Sequence, residues 1–233
     1  MKISILYEDE NLIAVNKPPG LVCHPVGGYQ GNTVISQLSS MYPENIHLLH
    51  RLDKNTSGVL LVTRGKKIIG KMYKQFARRI ICKTYLAVVH GVVKFQHGII
   101  NLPIARACDT SLIKLKMTTK NSDGLVAQTN YQLIDTTTTH SLLHLQPITG
   151  RKHQIRLHLA AIGHPIVGDY LYTHSGVPFL WEYYLQRPSP WHETITGHAL
   201  HAHSIEFEHP ILGQQMKMIA PLPRHLQSIM KGF

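Results

Sequence analysis

A nine-residue segment from His50 to Gly58 combines a carboxylate with residues that favour an ordered loop. Asp53 follows a basic residue and precedes a polar cluster that ends in glycine. Asn, Thr and Ser side chains bond their own backbone, and glycine adopts angles that other residues avoid. The apolar run from Val59 to Thr63 then predicts a buried strand. The pattern indicates a loop that holds one acid in a fixed direction, either for catalysis or to cap backbone N–H groups.

Three further segments occur with this loop in a fixed order along the chain. They are Lys17 to Leu21, Lys83 to Ala87, and Gly150 to His158 with its continuation from Gly163 to Tyr172. Together with the loop, they resemble the four motifs of the RluA-type pseudouridine synthases. The resemblance covers nearly the whole chain, and four motifs in register are far more specific than one.

The resemblance implies an isomerisation of uridine in which the bond from the base to the sugar breaks and re-forms through C5. No redox cofactor is needed, but a carboxylate must act where the sugar C1′ becomes electron-poor. The resemblance assigns that carboxylate to Asp53, a stacking phenol to Tyr85 and a guanidinium paired with the acid to Arg156. Local chemistry alone also allows Tyr85 to be a sheet-face aromatic and Arg156 to be a surface helix residue.

The same resemblance implies several contacts with the substrate. Arg51 would help to displace the target base and fill its place, and Leu200 would pack near the uracil. Other predicted contacts come from loops and from a helix start, where backbone N–H groups favour phosphate. These residues are His50, Thr56, Lys17, Arg151 and His153.

The composition indicates a polyanionic partner. Lys and Arg number 24 against 13 Asp and Glu, which gives a formal charge of +11 and a pI near 9.6. Such a balance favours nucleic acid, although a basic protein without such a partner has the same composition. We therefore expect RNA as the partner, with ribosomal RNA of the large subunit or transfer RNA as the leading substrates.

The remaining composition predicts a monomeric cytoplasmic protein. The cysteines Cys23, Cys82 and Cys108 are far apart and form no C-x-x-C pair, which argues against a disulfide framework. Acidic residues arrive early in the N-terminal segment, unlike in a signal peptide. No apolar run approaches the roughly 18 residues of a membrane span.

The 17 histidines are scattered rather than grouped at metal-ligand spacing. His201 and His203, with Asp169 or His174, are the only arrangement that suggests a metal. His153 and His158 are five residues apart and no Glu follows the first, so the zincin helix is absent. The prediction is no metal and no cofactor.

The pattern of elements predicts an α+β fold with a central mixed, mostly antiparallel sheet and flanking helices and loops. Strands often follow one another without a helix between them, and the resemblance implies the same architecture. The predicted strands are 3–7, 12–15, 59–63, 84–90, 126–134 and 141–145. The predicted helices are 33–40, 66–79, 152–162 and 224–231, and 172–199 is predicted to be an ordered loop or insertion.

The helix predicted from Lys66 to Arg79 has an apolar face and a dense basic remainder. Ile68, Met72 and Phe76 lie on the apolar face at helical spacing. The basic remainder either is solvated or contacts RNA, and the sequence leaves both interpretations open.

The chain is predicted to be a single pseudouridine synthase catalytic domain over residues 1–233. The first motif begins at Lys17, which leaves no room for the N-terminal S4-type module that many pseudouridine synthases carry. The alternative hypothesis is an RNA-binding or ribosome-assembly factor with little catalysis. It conflicts with the presence of Asp53, Tyr85 and Arg156, since a binding module needs none of the three.

Overall fold

The computed structural model divides the chain into two compact units. The first comprises Met1–Tyr85 and Leu200–Arg224, and the second comprises Leu86–Ala199 and His225–Phe233. The prediction of one catalytic domain stays a prediction. The residues that the structure describes are 2–25, 31–107, 113, 115–119, 123–173 and 197–233.

The first unit contains a mixed sheet with the strand order β1-β2-β4-β11. Strand β11 runs parallel to β4, whereas β2 pairs with β4 and β1 antiparallel, as do the short β3 with β4 and β12 with β11. The mixed sheet that was predicted is therefore confirmed. Its strands are β1 (Ser4–Glu8), β2 (Leu12–Lys17), β3 (Ile46–Leu48), β4 (Ser57–Arg64), β11 (Leu200–Glu208) and β12 (Gln215–Ile219).

Strand β4 is buried along nearly its whole length because both faces of the sheet are covered. Its side chains alternate between two apolar clusters. Leu60 and Val62 join the cluster that contains Leu52 and helix α1 (Val34–Met41). Val59 and Leu61 join the cluster that contains helix α2 (Ile69–Ala77). The loop around Leu52 and helix α2 thus lie on opposite faces of this sheet.

Helix α2 is shorter than predicted at both ends. No side chain caps its N-terminus at Ile68. At its C-terminus Arg79 adopts a left-handed conformation with φ 57°, and its N–H bonds to the Phe76 carbonyl at 3.1 Å. The next amide, of Ile80, bonds to the Gln75 carbonyl at 3.1 Å. These two bonds form a Schellman motif, which ends the helix.

The second unit begins within β5 (Cys82–His90), which leaves the first unit after Tyr85. The strand order there is β5-β10-β9-β6, and β9 pairs antiparallel with both β10 and β6. The predicted pair of strands on either side of residues 135–140 is confirmed as β9 and β10. The remaining elements are β6 (His97–Asn101), β7 (Ala105–Arg106), β8 (Met117–Thr118), β9 (Gln128–Thr136), β10 (His140–Pro147), α3 (Gln154–Ala161) and α4 (Arg224–Met230).

Sheets with few helices confirm the predicted α+β class. Most of the predicted loop 172–199 lies outside the described residues, as does Cys108. Among the helices that are described, none is long and apolar enough to cross a membrane.

Candidate active site

The Asp53 loop connects β3 to β4, as the sequence predicted. Leu52 is buried and anchors the loop in the apolar cluster beneath it, whereas Arg51 is exposed. The Thr56 amide bonds to the Asp53 carbonyl at 3.1 Å, and Thr56 is itself buried. Asp53 lies half-buried between these anchors, which orient its carboxylate.

Gly58 ends the loop where β4 lies against β11. Its φ is 111°, and a Cβ atom there would lie 2.1 Å from the carbonyl oxygen of Ala202. Ala202 is the parallel partner of Gly58 in the sheet, and the neighbouring Ser57 hydroxyl lies 2.8 Å from His201 Nδ1. The glycine of the motif is therefore required by the close approach of β11 to the end of the loop.

Lys17 lies beneath the loop with its side chain fully buried. Its ammonium donates hydrogen bonds to three carbonyls, those of Pro18 at 2.9 Å, Leu21 at 2.8 Å and Lys54 at 2.9 Å. Burial lowers the pKa of Lys17 to about 8, and the charges of Cys23 and Asp53 oppose that shift. All three donors are satisfied within the protein, so the predicted contact of Lys17 with an RNA phosphate is wrong. Lys17 instead positions the loop that carries Asp53.

We predict that Lys17→Met lowers kcat by about ten- to a hundredfold, because a loop displacement near 1 Å is enough for such a loss. The affinity for RNA should change less than about twofold, since the ammonium is not accessible to RNA. Single-turnover rates and filter-binding titrations separate the two effects. Lys54→Met removes the same charge from an exposed neighbour and is the control. An equal loss of affinity in both variants would contradict the positioning role.

Tyr85 lies in β5 and packs against the apolar cluster of the Asp53 loop. Burial raises the pKa of its phenol, and the charges of Asp53 and Cys23 raise it further. The phenol is therefore neutral near pH 7. In that form it can stack on a base and donate a hydrogen bond, but it is a poor proton acceptor.

His50 is neutral for the same physical reason. Burial lowers its pKa to about 3, and the nearby positive charge of Lys83 acts in the same direction. Its Nε2 accepts a hydrogen bond from the Leu61 amide at 3.1 Å, and its ring lies 5.7 Å from that of Phe76 on α2. These contacts give His50 a role in packing the loop against α2, and its predicted contact with RNA stays a prediction.

The buried His50 should make the protein sensitive to acid. The unfolded chain binds a proton near pH 6.5 whereas the folded chain does not, so stability falls as the pH drops from 6.5 towards 3. At pH 5 this group alone should lower the free energy of unfolding by about 2 kcal/mol relative to pH 7. Urea denaturation at both pH values measures the loss, which should shrink by that amount in His50→Gln. The exposed His97 provides the control variant His97→Gln, and an identical loss in both variants would exclude His50 as the cause.

The second unit holds Arg156 in a separate network. Its guanidinium makes a bidentate ion pair with Asp169, from Nε at 2.7 Å and from a terminal nitrogen at 2.8 Å. The group also lies 5.2 Å from the centre of the Tyr172 ring. Both members of the ion pair are buried, so the plane of the guanidinium is fixed. The predicted pairing of Arg156 with Asp53 stays a prediction.

Asp169 and Tyr172 belong to the last sequence motif, but the sequence analysis assigned them no role towards Arg156. Their positions, 13 and 16 residues after the arginine, were the available signal. The Tyr172 hydroxyl also lies 2.9 Å from His153 Nδ1 and accepts a hydrogen bond from the Met117 amide at 3.1 Å. These two contacts fix the ring of Tyr172 beside Arg156.

Helix α3 begins two residues later than predicted. His153 is its N-cap in a left-handed conformation with φ 56°, without a side-chain capping bond. The Gln154 side chain accepts hydrogen bonds from the Thr149 hydroxyl and the Arg151 amide, and so orders the approach to the helix. Arg151 is exposed, in a position that suits its predicted contact with RNA.

Leu200 opens β11 and is almost fully buried in the first unit. Two residues of the same strand region had suggested a metal, but His201 bonds instead to Ser57 and lies 3.2 Å from the Ala220 carbonyl. Within the described residues, no group of three His, Cys, Asp or Glu side chains is placed to hold a metal ion.

Comparisons with known proteins agree with this arrangement. A family model described as RNA pseudouridylate synthase matches residues 11–161. The chain is 35% identical to a ribosomal large subunit pseudouridine synthase D of Xanthomonas campestris, over 99% of this chain and 69% of that protein. It is 34% identical to an uncharacterized RNA pseudouridine synthase of Synechocystis, over 98% of this chain and 68% of that protein. The solved structure titled human RNA pseudouridylate synthase domain containing 4 is similar with a TM-score of 0.75 and 29% identity, covering 98% of this chain and 92% of that one.

Proposed function

Because the chain belongs to the RNA pseudouridylate synthase family, we propose that Asp53, Tyr85 and Arg156 carry out the isomerisation of uridine to pseudouridine in RNA. The protein is an isomerase of this class, and the resemblance predicted from four sequence motifs is confirmed. The roles of the individual residues are our assignment.

The reaction breaks the N-glycosidic bond, rotates the uracil and joins its C5 to the sugar C1′. The hydrogen on C5 leaves as a proton, so atoms and electrons balance without an oxidant. Asp53 supplies the carboxylate that acts on the nucleotide as charge develops. Its anchored, half-buried position supports this role, since a fixed carboxylate needs little reorganisation during the reaction.

Tyr85 and Arg156 support the same reaction in different ways. The neutral phenol of Tyr85 provides a surface on which the detached uracil can stack, next to an acid whose charge already raises the phenol pKa. Arg156 supplies a fixed positive charge, oriented by Asp169, that favours the ionised form of a carboxylate.

Arg51 is assigned to base flipping. It is exposed on the loop two residues before Asp53, so it can enter the space that the target nucleotide leaves in the RNA. Leu200 packs near the uracil in this proposal, and Arg151 and His153 contact phosphate.

The substrate that we propose is ribosomal RNA of the large subunit, ahead of transfer RNA. The observation that carries this choice is the 35% identity, over 99% of the chain, to a synthase named for the large ribosomal subunit. We also propose that the protein acts as a monomer in the cytoplasm, which light scattering and cell fractionation can test.

Tritium release from RNA labelled at uracil C5 tests the function and the substrate together. The RNA is prepared from cells that lack this gene and is separated into ribosomal and transfer RNA. Release is expected from the large-subunit fraction, because forming pseudouridine displaces the C5 hydrogen. Release only from transfer RNA would overturn the substrate, and no release from any fraction would favour a ribosome-assembly factor.

A further inference from the structure

The positive charge of this protein is concentrated in one part of the chain. Between Asp53 and Asp109 there are 11 Lys and Arg residues and no Asp or Glu, out of 24 basic and 13 acidic residues in all. The rest of the chain therefore has 13 of each sign. The entire formal charge of +11 comes from this stretch, which includes helix α2.

Six of these basic residues form the surface that we call the α2 basic surface. All six are exposed, and none makes an ion pair with a residue that the structure describes. Within it, Lys71, Lys74 and Arg78 follow one another at intervals of three and four residues, which places them along one side of the helix. The surface comprises Lys66, Lys67, Lys71, Lys74, Arg78 and Arg79.

The electrostatics of the helix explain only part of this surface. Positive charge at the C-terminus of a helix is favourable, which accounts for Lys74 and Arg78. Positive charge at the N-terminus is unfavourable, yet Lys66 and Lys67 precede α2 and its first turn contains no acidic residue. Repulsion among the six also opposes folding, so helix stability does not account for the set.

Arg79 occupies a position that normally favours glycine. It is the left-handed residue of the Schellman motif, and its φ of 57° is strained for a side chain with a Cβ. Glycine would satisfy the same two hydrogen bonds without that strain. The chain instead keeps an exposed guanidinium at this point.

The α2 basic surface lies behind the sheet from the Asp53 loop. Ile68, Met72 and Phe76 attach α2 to one face of the first unit's sheet, whereas Leu52 and Tyr85 pack on the other face. A sheet layer and a helix together are about 20 Å thick. An RNA segment at the Asp53 loop therefore does not reach the outer side of α2 unless the RNA extends well beyond its target loop.

We infer that the α2 basic surface docks the phosphate backbone of a second helical segment of a large folded RNA, away from the target uridine. This inference rests on the proposed function and adds to it that the substrate is larger than a single stem-loop. The match is one of charge, since six exposed cations face a polyanion, and it requires no reading of bases.

The test compares two triple variants with the same net charge. Lys67→Gln/Lys74→Gln/Arg78→Gln removes three charges from the surface, and Lys2→Gln/Lys94→Gln/Lys231→Gln removes three exposed charges elsewhere. Lys71 is left unchanged because its ammonium bonds to the Pro210 carbonyl at 2.9 Å and anchors the helix. Circular dichroism and thermal melting check that both variants fold.

On large-subunit ribosomal RNA, the surface variant should raise KM about tenfold with the effect on KM rather than on kcat. The slope of log affinity against log salt should become shallower by about 2 to 3, because each phosphate that is no longer neutralised lowers it by about one. On a short hairpin that contains only the target loop, its KM should change less than about twofold. The control variant should remain within about twofold on both RNAs.

Equal effects of the two variants would show that only total charge matters and would overturn the inference. An equal loss on the short hairpin would overturn the second, distant contact. Failure of the proposed function is distinct from either result, because the unmodified protein would then release no tritium from any RNA.

Arg79→Gly guards against an effect that arises only from misfolding. It removes one charge from the surface and the strained left-handed side chain with it, so the melting temperature should rise by about 2 °C. Weaker binding to the large RNA in this more stable protein would support the inference. Unchanged KM and salt slope in both Arg79→Gly and the triple variant would overturn it.

Discussion

Replacing Asp53 by Asn should lower kcat by at least about a thousandfold while leaving the affinity for RNA within about twofold of its original value. The amide keeps the size of the side chain and most of the anchored loop geometry, but it has no negative charge. A neutral group cannot act on the sugar or the base as the glycosidic bond breaks. Single-turnover tritium release measures the rate, and a binding titration measures the affinity.

Asp135→Asn is the matched control, because that carboxylate is exposed on β9 and bonds locally to the Thr136 amide at 2.8 Å. It should retain full turnover. A substantial rate in Asp53→Asn would show that another group supplies the charge and that the assignment of Asp53 is wrong. A parallel loss of affinity would instead indicate that the loop is misfolded.

Replacing Gly58 by Ala should destabilise the protein by more than about 4 kcal/mol, enough to lower the melting temperature by about 10 °C or more. The added methyl group would lie 2.1 Å from a backbone oxygen of β11, and it would also have to adopt a φ of 111°. A backbone atom cannot move aside as a flexible side chain does, so β4 and β11 must separate. Scanning calorimetry measures the effect.

Two other glycines separate the causes of this loss. Gly65 also has a positive φ, of 71°, but nothing lies within 4 Å of the position of its Cβ. Gly65→Ala should therefore cost only about 1–2 kcal/mol. Gly70 lies in α2 in open space, and Gly70→Ala should stabilise the helix by up to about 1 kcal/mol. A cost at Gly58 no larger than at Gly65 would exclude the contact with β11 as the cause.

The elements predicted from sequence are those with a clear pattern. Continuous apolar runs identified β2 and β4, and the apolar face of α2 identified that helix. Strand β11 was missed because His201, His203 and Glu206 interrupt its apolar residues. The interruption has a structural cause at His201, whose ring is buried and bonds to Ser57 across the parallel pair. Such a partner, 144 residues away, leaves no local signal.

The candidate site divides in the same way. The sequence located Asp53 and its loop because turn-forming residues and a following strand are local features. It assigned Lys17 to phosphate because a lysine in a Pro-Gly turn is usually exposed. The three carbonyls that surround it come together only when residues 17–21 pack against residue 54. The same limit applies to the bidentate pair of Arg156 with Asp169.

The ammonium of Lys17 has a consequence for how the Asp53 loop is kept in order. Protein loops commonly gather backbone carbonyls around a bound metal ion, which leaves when its concentration falls. In this protein the cation that gathers the three carbonyls is covalently attached to the chain. Its local concentration is constant, so dilution and chelators cannot remove it. The geometry around Asp53 is thus set once, when the chain folds, and does not vary with the ionic conditions of the cell.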